Sequence, residues 1–307
     1  MRIFVTGATG FIGSAIVQEL IGAGYKVLGL SRNDVSAKAL AKLKVEAHQG
    51  DLKDTNSLAA GAKACDGVIH TAFLQDFSDM AGNSETDRRA VEAMGVALAG
   101  SNRPFVIASP AAVVMPGKPA TEDAAGSPQG LGAARVPSEE AMIALASKGV
   151  RTSIVRLSSA VHDREKQGLV SMMISLAKEK GVSAYANDGL NRWATVHRLD
   201  AAHLFRLALE KGSAGARYHA VGEEGVSLRD IARSIAQHLH LPIVAKSSQE
   251  VAEYFGWLAH FVGADLPASS VQTQKLLGWR PTHPGLLADL DRASAFEDSK
   301  GKMLAHG

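Results

Sequence analysis

Through the first half of the chain, short apolar, β-branched runs alternate with stretches whose apolar residues recur every three or four positions. The runs Arg2–Thr6, Lys26–Leu30, Val45–His48, Gly67–Thr71, Pro104–Ser109 and Arg151–Leu157 read as strands. Between them Phe11–Ala23 carries Ile12, Ile16, Leu20 and Ile21 at helical spacing, and helices are expected over Ser36–Leu43, Thr55–Ala62, Ser84–Ala99 and Ser138–Ser147. Asp54 stands where an N-cap belongs. Six strands alternating with helices imply right-handed crossovers and a parallel sheet covered on both faces, an α/β architecture.

After Leu157 the rhythm loosens. A helix over Gln167–Lys180 and a short strand over Val182–Tyr185 lead into a polar stretch, Ala186–Arg192. A helix over Leu199–Lys211, a strand over Ala216–Ala220 and a helix over Leu228–Leu239, capped by Ser227 with Asp230, follow. The pattern divides into residues 1–157 with 194–220 returning to the first domain, and a smaller mixed C-terminal lobe for substrate from 158–193 and 221–307. Pro110–Gly132, rich in Pro, Gly, Ala and Ser, reads as a loop able to cover a site. The tail Asp298–Gly307 is polar and expected to fray.

Composition narrows the classes. The 307 residues carry 33 basic and 31 acidic side chains, a net charge of +2, which gives no reason to expect nucleic acid or an anionic membrane as partner. Cys65 is the one cysteine, so no intrachain disulfide forms, and a small buried thiol is its expected state. No apolar run approaches a membrane span, and the first residues lack the layout of a secretion signal. A cytoplasmic protein is expected.

The chemistry begins where the first strand ends. Thr6-Gly7-Ala8-Thr9-Gly10-Phe11-Ile12-Gly13 runs from strand through turn into helix. Gly7 permits the turn, Gly10 lets backbone approach a diphosphate, and Gly13 permits close helix–strand packing, while the helix start offers free N–H groups to the anion. This is the signature of a Rossmann-type doubly wound sheet. At the end of the second strand the chain reads Ser31-Arg32-Asn33, where an acid would grip the ribose hydroxyls of NAD. A guanidinium and a hydroxyl suit a 2′-phosphate instead, so the cofactor is read as NADP(H). Asp51 and Leu52 follow the third strand, where the carboxylate either borders the adenine or caps the next turn. Thr71 and Ala72 end the fourth strand, small enough to let the cofactor pass.

These residues resemble the extended and atypical short-chain dehydrogenase/reductase family, the group containing nucleotide-sugar epimerases and dehydratases. Thr6–Gly13, Gly50-Asp51-Leu52, His70–Ala72, Ser109 and Val196–Asp200 carry the resemblance, over roughly residues 1–290. It implies a Ser that orients a carbonyl, matched by Ser109, and a Tyr-x-x-x-Lys that moves the proton. That motif is missing: four positions after Tyr25, Tyr185, Tyr218 and Tyr254 stand Gly29, Gly189, Gly222 and Leu258. By place in the chain, Leu131 stands for the Tyr and Arg135 for the Lys. Leucine cannot move a proton, whereas Arg135 can still hydrogen-bond the nicotinamide ribose.

Position offers His162, just past the sixth strand, and Tyr185, before the polar loop, as substitute proton donors. His197 is expected to be structural, Asp76-Phe77 to border the substrate, and Asn191-Arg192-Trp193 either to bind an anionic or sugar-like group or to pack the lobe. No metal ligand set is expected. Three functions remain open: an NADPH-dependent reductase of a small carbonyl, enone or imine, an epimerase or dehydratase, and a non-catalytic NADP(H) sensor. The resemblance also implies a homodimer through the helices Ser84–Ala99 and Ser138–Ser147.

Overall fold

The computed structural model describes residues 1–74 and 79–296. Asp76-Phe77 and Asp298–Gly307 lie outside the described residues. The first half is β1 (Arg2–Thr6), α1 (Phe11–Gly22), β2 (Lys26–Ser31), α2 (Asp34–Lys42), β3 (Glu46–Gln49), α3 (Thr55–Lys63), β4 (Gly67–His70), α4 (Met80–Leu98), β5 (Pro104–Pro110), α5 (Val136–Ala146) and β6 (Arg151–Leu157). It continues through β7 (Ala160–His162), α6 (Leu169–Lys180), β8 (Ser183–Ala186), β9 (Arg192–His197), α7 (Arg198–Lys211), β10 (Ala216–Ala220), β11 (Glu223–Ser227) and α8 (Leu228–Leu239). The last elements are β12 (Ile243–Lys246), α9 (Ser248–Phe255), α10 (Ala259–Val262), α11 (Val271–Leu277) and α12 (Leu286–Leu290).

A seven-stranded parallel sheet in the order β10-β6-β5-β4-β1-β2-β3 forms the frame. Strand order reverses beside β1, so the glycine turn opens at the crevice where ligands bind in such sheets. Ile3, Phe4, Val5, Val68, Ile69, Phe105, Val106 and Ile154 are fully buried, as strands covered on both faces require. The chain returns to this sheet late: β10 pairs with β6, in register Tyr218↔Val155, and α7 packs on α1. β9 lies outside that sheet, between β11 and β7 in a three-stranded sheet, while β12 pairs with β8 in a two-stranded one. Around these smaller sheets Trp193, Ile231, Ile235, Phe255, Leu258, Leu286 and Leu290 form a second apolar core.

Several boundaries differ from the sequence pattern. α4 begins at Met80, capped by the Asp79 carboxylate, which accepts the Gly82 N–H at 2.9 Å. β7, β9, β11 and β12 escape the period because three to six residues hold too few alternations. The segment 110–132 is stitched to the lobe: Ala120 N donates to Pro267 O and Ser269 N to Ala120 O, both at 2.9 Å. Glu122 adds bonds from Thr273 N and Oγ1 at 2.7 and 2.8 Å. Among the described residues no helix is long and apolar enough to cross a membrane.

Candidate dinucleotide site

Gly7 has φ +69°, a conformation that disfavours any Cβ, and its carbonyl accepts the Gly10 N–H at 2.9 Å. A Cβ on Gly13 would stand 2.0 Å from that same carbonyl oxygen, so helix and turn touch backbone to backbone. No side chain caps α1. Thr9 and Gly10 are exposed, Phe11 and Ile12 half-buried. The result is an open cradle of N–H groups at a helix start, which fits a diphosphate. Thr71 closes its floor, with Oγ1 donating to Thr6 O at 2.9 Å, and Ala72 N donates to Thr6 Oγ1 at 3.4 Å.

At the end of β2 the two expected phosphate ligands part company. Arg32 is exposed and has neither hydrogen bond nor ion pair among the described residues. Ser31 is fully buried, and its hydroxyl lies 3.0 Å from Asn33 O and 2.8 Å from Ser36 Oγ. It faces inward, because Asn33 and Ser36 form a capping box for α2 that draws it in. Asp51 Oδ1 accepts the Lys53 N–H at 2.9 Å, the turn-capping role, while Leu52 is buried in the core beside α3.

A buried polar chain links the cradle to α5. Thr6 Oγ1 lies 2.6 Å from His70 Nδ1, and His70 Nε2 lies 3.0 Å from Asp87 Oδ1. Ser138 donates its hydroxyl to the other oxygen of Asp87, and Arg135 Nη1 stands 3.3 Å from the first. Burial alone would raise the Asp87 pKa, but the Arg135 charge and the His70 hydrogen bond hold its carboxyl below the usual range. Arg135 also donates to Ala108 O and lies 4.7 Å over the Phe73 ring, leaving its buried Nε without a partner. The structure thus brings Arg135, Thr71 and Ala72 to the carboxyl ends of β4 and β5. Leu131, half-buried, packs against the lobe core.

Ser109 faces α5. Its hydroxyl donates to Glu139 Oε1 at 2.6 Å, and Arg156 grips the same carboxylate at 3.0 and 2.6 Å. A hydroxyl has one proton, so Ser109 committed to Glu139 offers only lone pairs elsewhere. Nothing local in the sequence announces this, since Glu139 is thirty residues away on another element.

The two other candidate donors sit elsewhere. His162 is fully buried, with Nδ1 2.7 Å from Asp289 of α12. Tyr185 lies in the two-stranded sheet of the lobe, its ring close against Gly189. Of the other tyrosines, Tyr25 donates to Glu210 at 3.0 Å, Tyr254 to Val182 O at 2.5 Å, and Tyr218 accepts the Ser213 N–H. Asn191, Arg192 and Trp193 all serve the lobe: Asn191 Nδ2 donates to Val262 O and Ala264 O, Arg192 pairs with Asp265 at 2.8 Å, and Trp193 Nε1 donates to Phe261 O.

His197 caps α7, accepting the Leu199 N–H at 3.2 Å. With Asp200 and His283 it makes a trio whose ligand atoms lie within 4.8 Å of one another. The two imidazoles are stacked, 4.6 Å apart and 8° from parallel. A metal lies in the plane of an imidazole ligand, so parallel rings cannot both aim at one ion. Asp200 already accepts Thr282 N, His283 N and His283 Nδ1 at 2.8–3.0 Å. The trio is a tie between α7 and the segment before α12.

Burial pushes His162 and His197 below the ordinary imidazole range, with Asp289 pulling each back only in part, and it takes His219 down to about 4. All three are held neutral in the folded chain, whereas the unfolded chain takes up protons near 6.5. Stability is therefore expected to fall as pH drops below about 6.5, continuing toward 4. Thermal unfolding across that range checks this, and a flat profile between pH 6.5 and 4.5 would contradict it.

Known proteins match this arrangement. An uncharacterized protein of Schizosaccharomyces pombe is 46% identical, covering 96% of this chain and 100% of its own. A sterol-4-alpha-carboxylate 3-dehydrogenase, decarboxylating, of Dictyostelium discoideum is 29% identical over 74% of this chain and 73% of its own. The solved dTDP-glucose 4,6-dehydratase of Streptomyces venezuelae, with NAD and TYD bound, superposes with a TM-score of 0.77 over 98% of both chains at 20% identity, a likeness of fold. Residues 3–221 match the model of the NAD dependent epimerase/dehydratase family. With cradle, sheet order and this match in agreement, the chain belongs to the NAD dependent epimerase/dehydratase family.

Proposed function

We propose that this protein is an NADP(H)-dependent oxidoreductase that reduces a small carbonyl, enone or imine with a proton that does not come from tyrosine. Membership of a family named for NAD dependence and the dehydrogenase name of the Dictyostelium relative support redox chemistry. The observation that carries the phosphate preference is Arg32, exposed at the end of β2 beside the start of α2 and unpaired among the described residues.

Gly7, Thr9, Gly10, Phe11, Ile12 and Gly13 would hold the diphosphate, Arg32 the 2′-phosphate, and Thr71, Ala72 and Arg135 the nicotinamide ribose, while the turn that Asp51 caps would border the adenine with Leu52 in the core behind it. When bound, the reduced nicotinamide supplies a hydride. Asp87 fixes the Arg135 guanidinium, which donates hydrogen bonds and releases no proton. Ser109, engaged with Glu139, contributes lone pairs rather than a proton to the cleft. Protonation is left to solvent or to a substrate that arrives protonated, such as an iminium. The substrate side of the cleft we assign to the lobe, 158–193 and 221–296.

The burial of His162 and the Ser109–Glu139 bond favour a second reading, a protein that binds NADP(H) without turning over. Loss of NADPH absorbance against a panel of aldehydes, ketones, enones and imines separates the two: tight binding with total inertness would replace the first by the second. Arg32→Ala is expected to weaken NADPH by about 10- to 100-fold, the worth of a charge-assisted contact, and to leave NADH within about twofold. Equal losses for both in calorimetry would remove the phosphate role.

A further inference from the structure

The glycine cradle meets a diphosphate from one side. Beside it two cations converge on Phe11, the first residue of α1, one from α7 of the sheet domain and one from the lobe. Arg198, opening α7, holds its guanidinium carbon 4.9 Å over the Phe11 ring, and Nη1 donates to Phe11 O at 3.4 Å. Lys166, in the connection from β7 to α6, holds its ammonium 5.7 Å from the centre of the same ring. Asp163 organises both. Its Oδ1 accepts the N–H groups of Glu165 and Lys166, each at 2.8 Å, and its Oδ2 pairs with Arg198 Nε at 2.8 Å.

The charge at this spot does not balance. Two cations gather beside a helix start that itself carries about half a positive charge. Among the described residues Asp163 is the one carboxylate that pairs with Arg198; Lys166 is exposed and pairs with none, and the exposed Glu165 pairs with neither cation. A cation over an exposed phenyl ring gains little, less than the mutual repulsion of like charges would need for compensation. An anion beside Phe11 would offset that excess.

We infer that Arg198 of α7 and Lys166 of the lobe form a second wall of the dinucleotide site that grips the diphosphate beside the glycine turn. This rests on the proposed dinucleotide reading. It makes one ligand group the point where lobe and sheet domain meet, so occupancy ties the two together.

Calorimetry with NADPH, NADH and adenosine 2′-monophosphate, which lacks a diphosphate, tests it. Arg198→Gln is expected to weaken NADPH and NADH alike, by about tenfold, and to spare adenosine 2′-monophosphate. Lys166→Gln, which touches only the Phe11 ring, is expected to cost both dinucleotides about threefold and to flatten the fall of affinity with salt. Folded variants that bind both dinucleotides at the wild-type level overturn the inference, as does an equal loss for adenosine 2′-monophosphate. If Arg198→Gln does not fold, Lys166→Gln decides alone. A wild-type protein that binds none of the three ligands defeats the dinucleotide reading itself, a separate result.

Discussion

Gly13→Ala is expected to abolish measurable dinucleotide binding and to lower the thermal midpoint by several degrees. The added methyl would lie 2.0 Å from Gly7 O and 2.7 Å from Gly7 C, about an ångström inside any real contact. Neither side can yield cheaply. Gly7 is held at φ +69° with Thr71 Oγ1 and Ala72 N behind it, and its carbonyl anchors Gly10. Relief requires α1 to slide from β1, which opens the Gly10–Gly7 bond and turns the helix N–H groups away from the anion. Overpacking of this kind costs about 1–3 kcal/mol in stability, before the lost ligand is counted. Gly22→Ala is the control, since nothing lies within 4 Å of its would-be Cβ. Calorimetry with NADPH on both variants is the measurement, and near-normal affinity in Gly13→Ala would refute the backbone contact.

The second large effect is expected from Glu139→Ala. Arg156 is fully buried and owes its charge compensation to the Glu139 carboxylate, with Arg217 Nε standing 3.7 Å from the same group. Removing one partner of a buried pair leaves an uncompensated charge, at a cost of about 3–5 kcal/mol. A fall of roughly 10 °C in the thermal midpoint follows for a chain of this size. Glu139→Leu combined with Arg156→Met, which removes both charges, is expected to recover most of it. A single variant that melts within two degrees of the parent would show that the pair is not what holds α5 to β6. The variant also frees the Ser109 proton, so any gain in carbonyl reduction by a surviving folded fraction would reveal that the bond to Glu139 restrains the hydroxyl.

The glycine turn was readable because its requirements are local: a positive φ at Gly7 and a helix start at Phe11 fall within seven residues. Most of the sheet was readable for the same reason, β1, β4, β5 and β6 being apolar runs buried on both faces, while β3, Glu46–Gln49, is a largely exposed edge strand. Partners that lie far apart in the chain left no such trace. His162 looked like a donor until Asp289, 127 residues later, paired with it in the core, whereas Ser31 was drawn inward by near neighbours, Asn33 and Ser36, whose capping box the apolar period does not register. β7 offers three residues and no period, and β12, with Ile243 exposed, shows little apolar contrast. The absent Tyr-x-x-x-Lys was legible by inspection, whereas the Asp87–Arg135 pair needed α4 and α5 side by side.

The late return of β10 to the large sheet bears on how the chain is made. Until residues 216–220 emerge, β6 has one edge of unpaired amides and carbonyls although every other strand of that sheet already exists. A nascent or truncated chain ending before Ala216 carries that bare strand as a template for other chains. Fragments cut between Leu157 and Ala216 are therefore expected to be recovered as aggregates rather than as folded cofactor-binding modules.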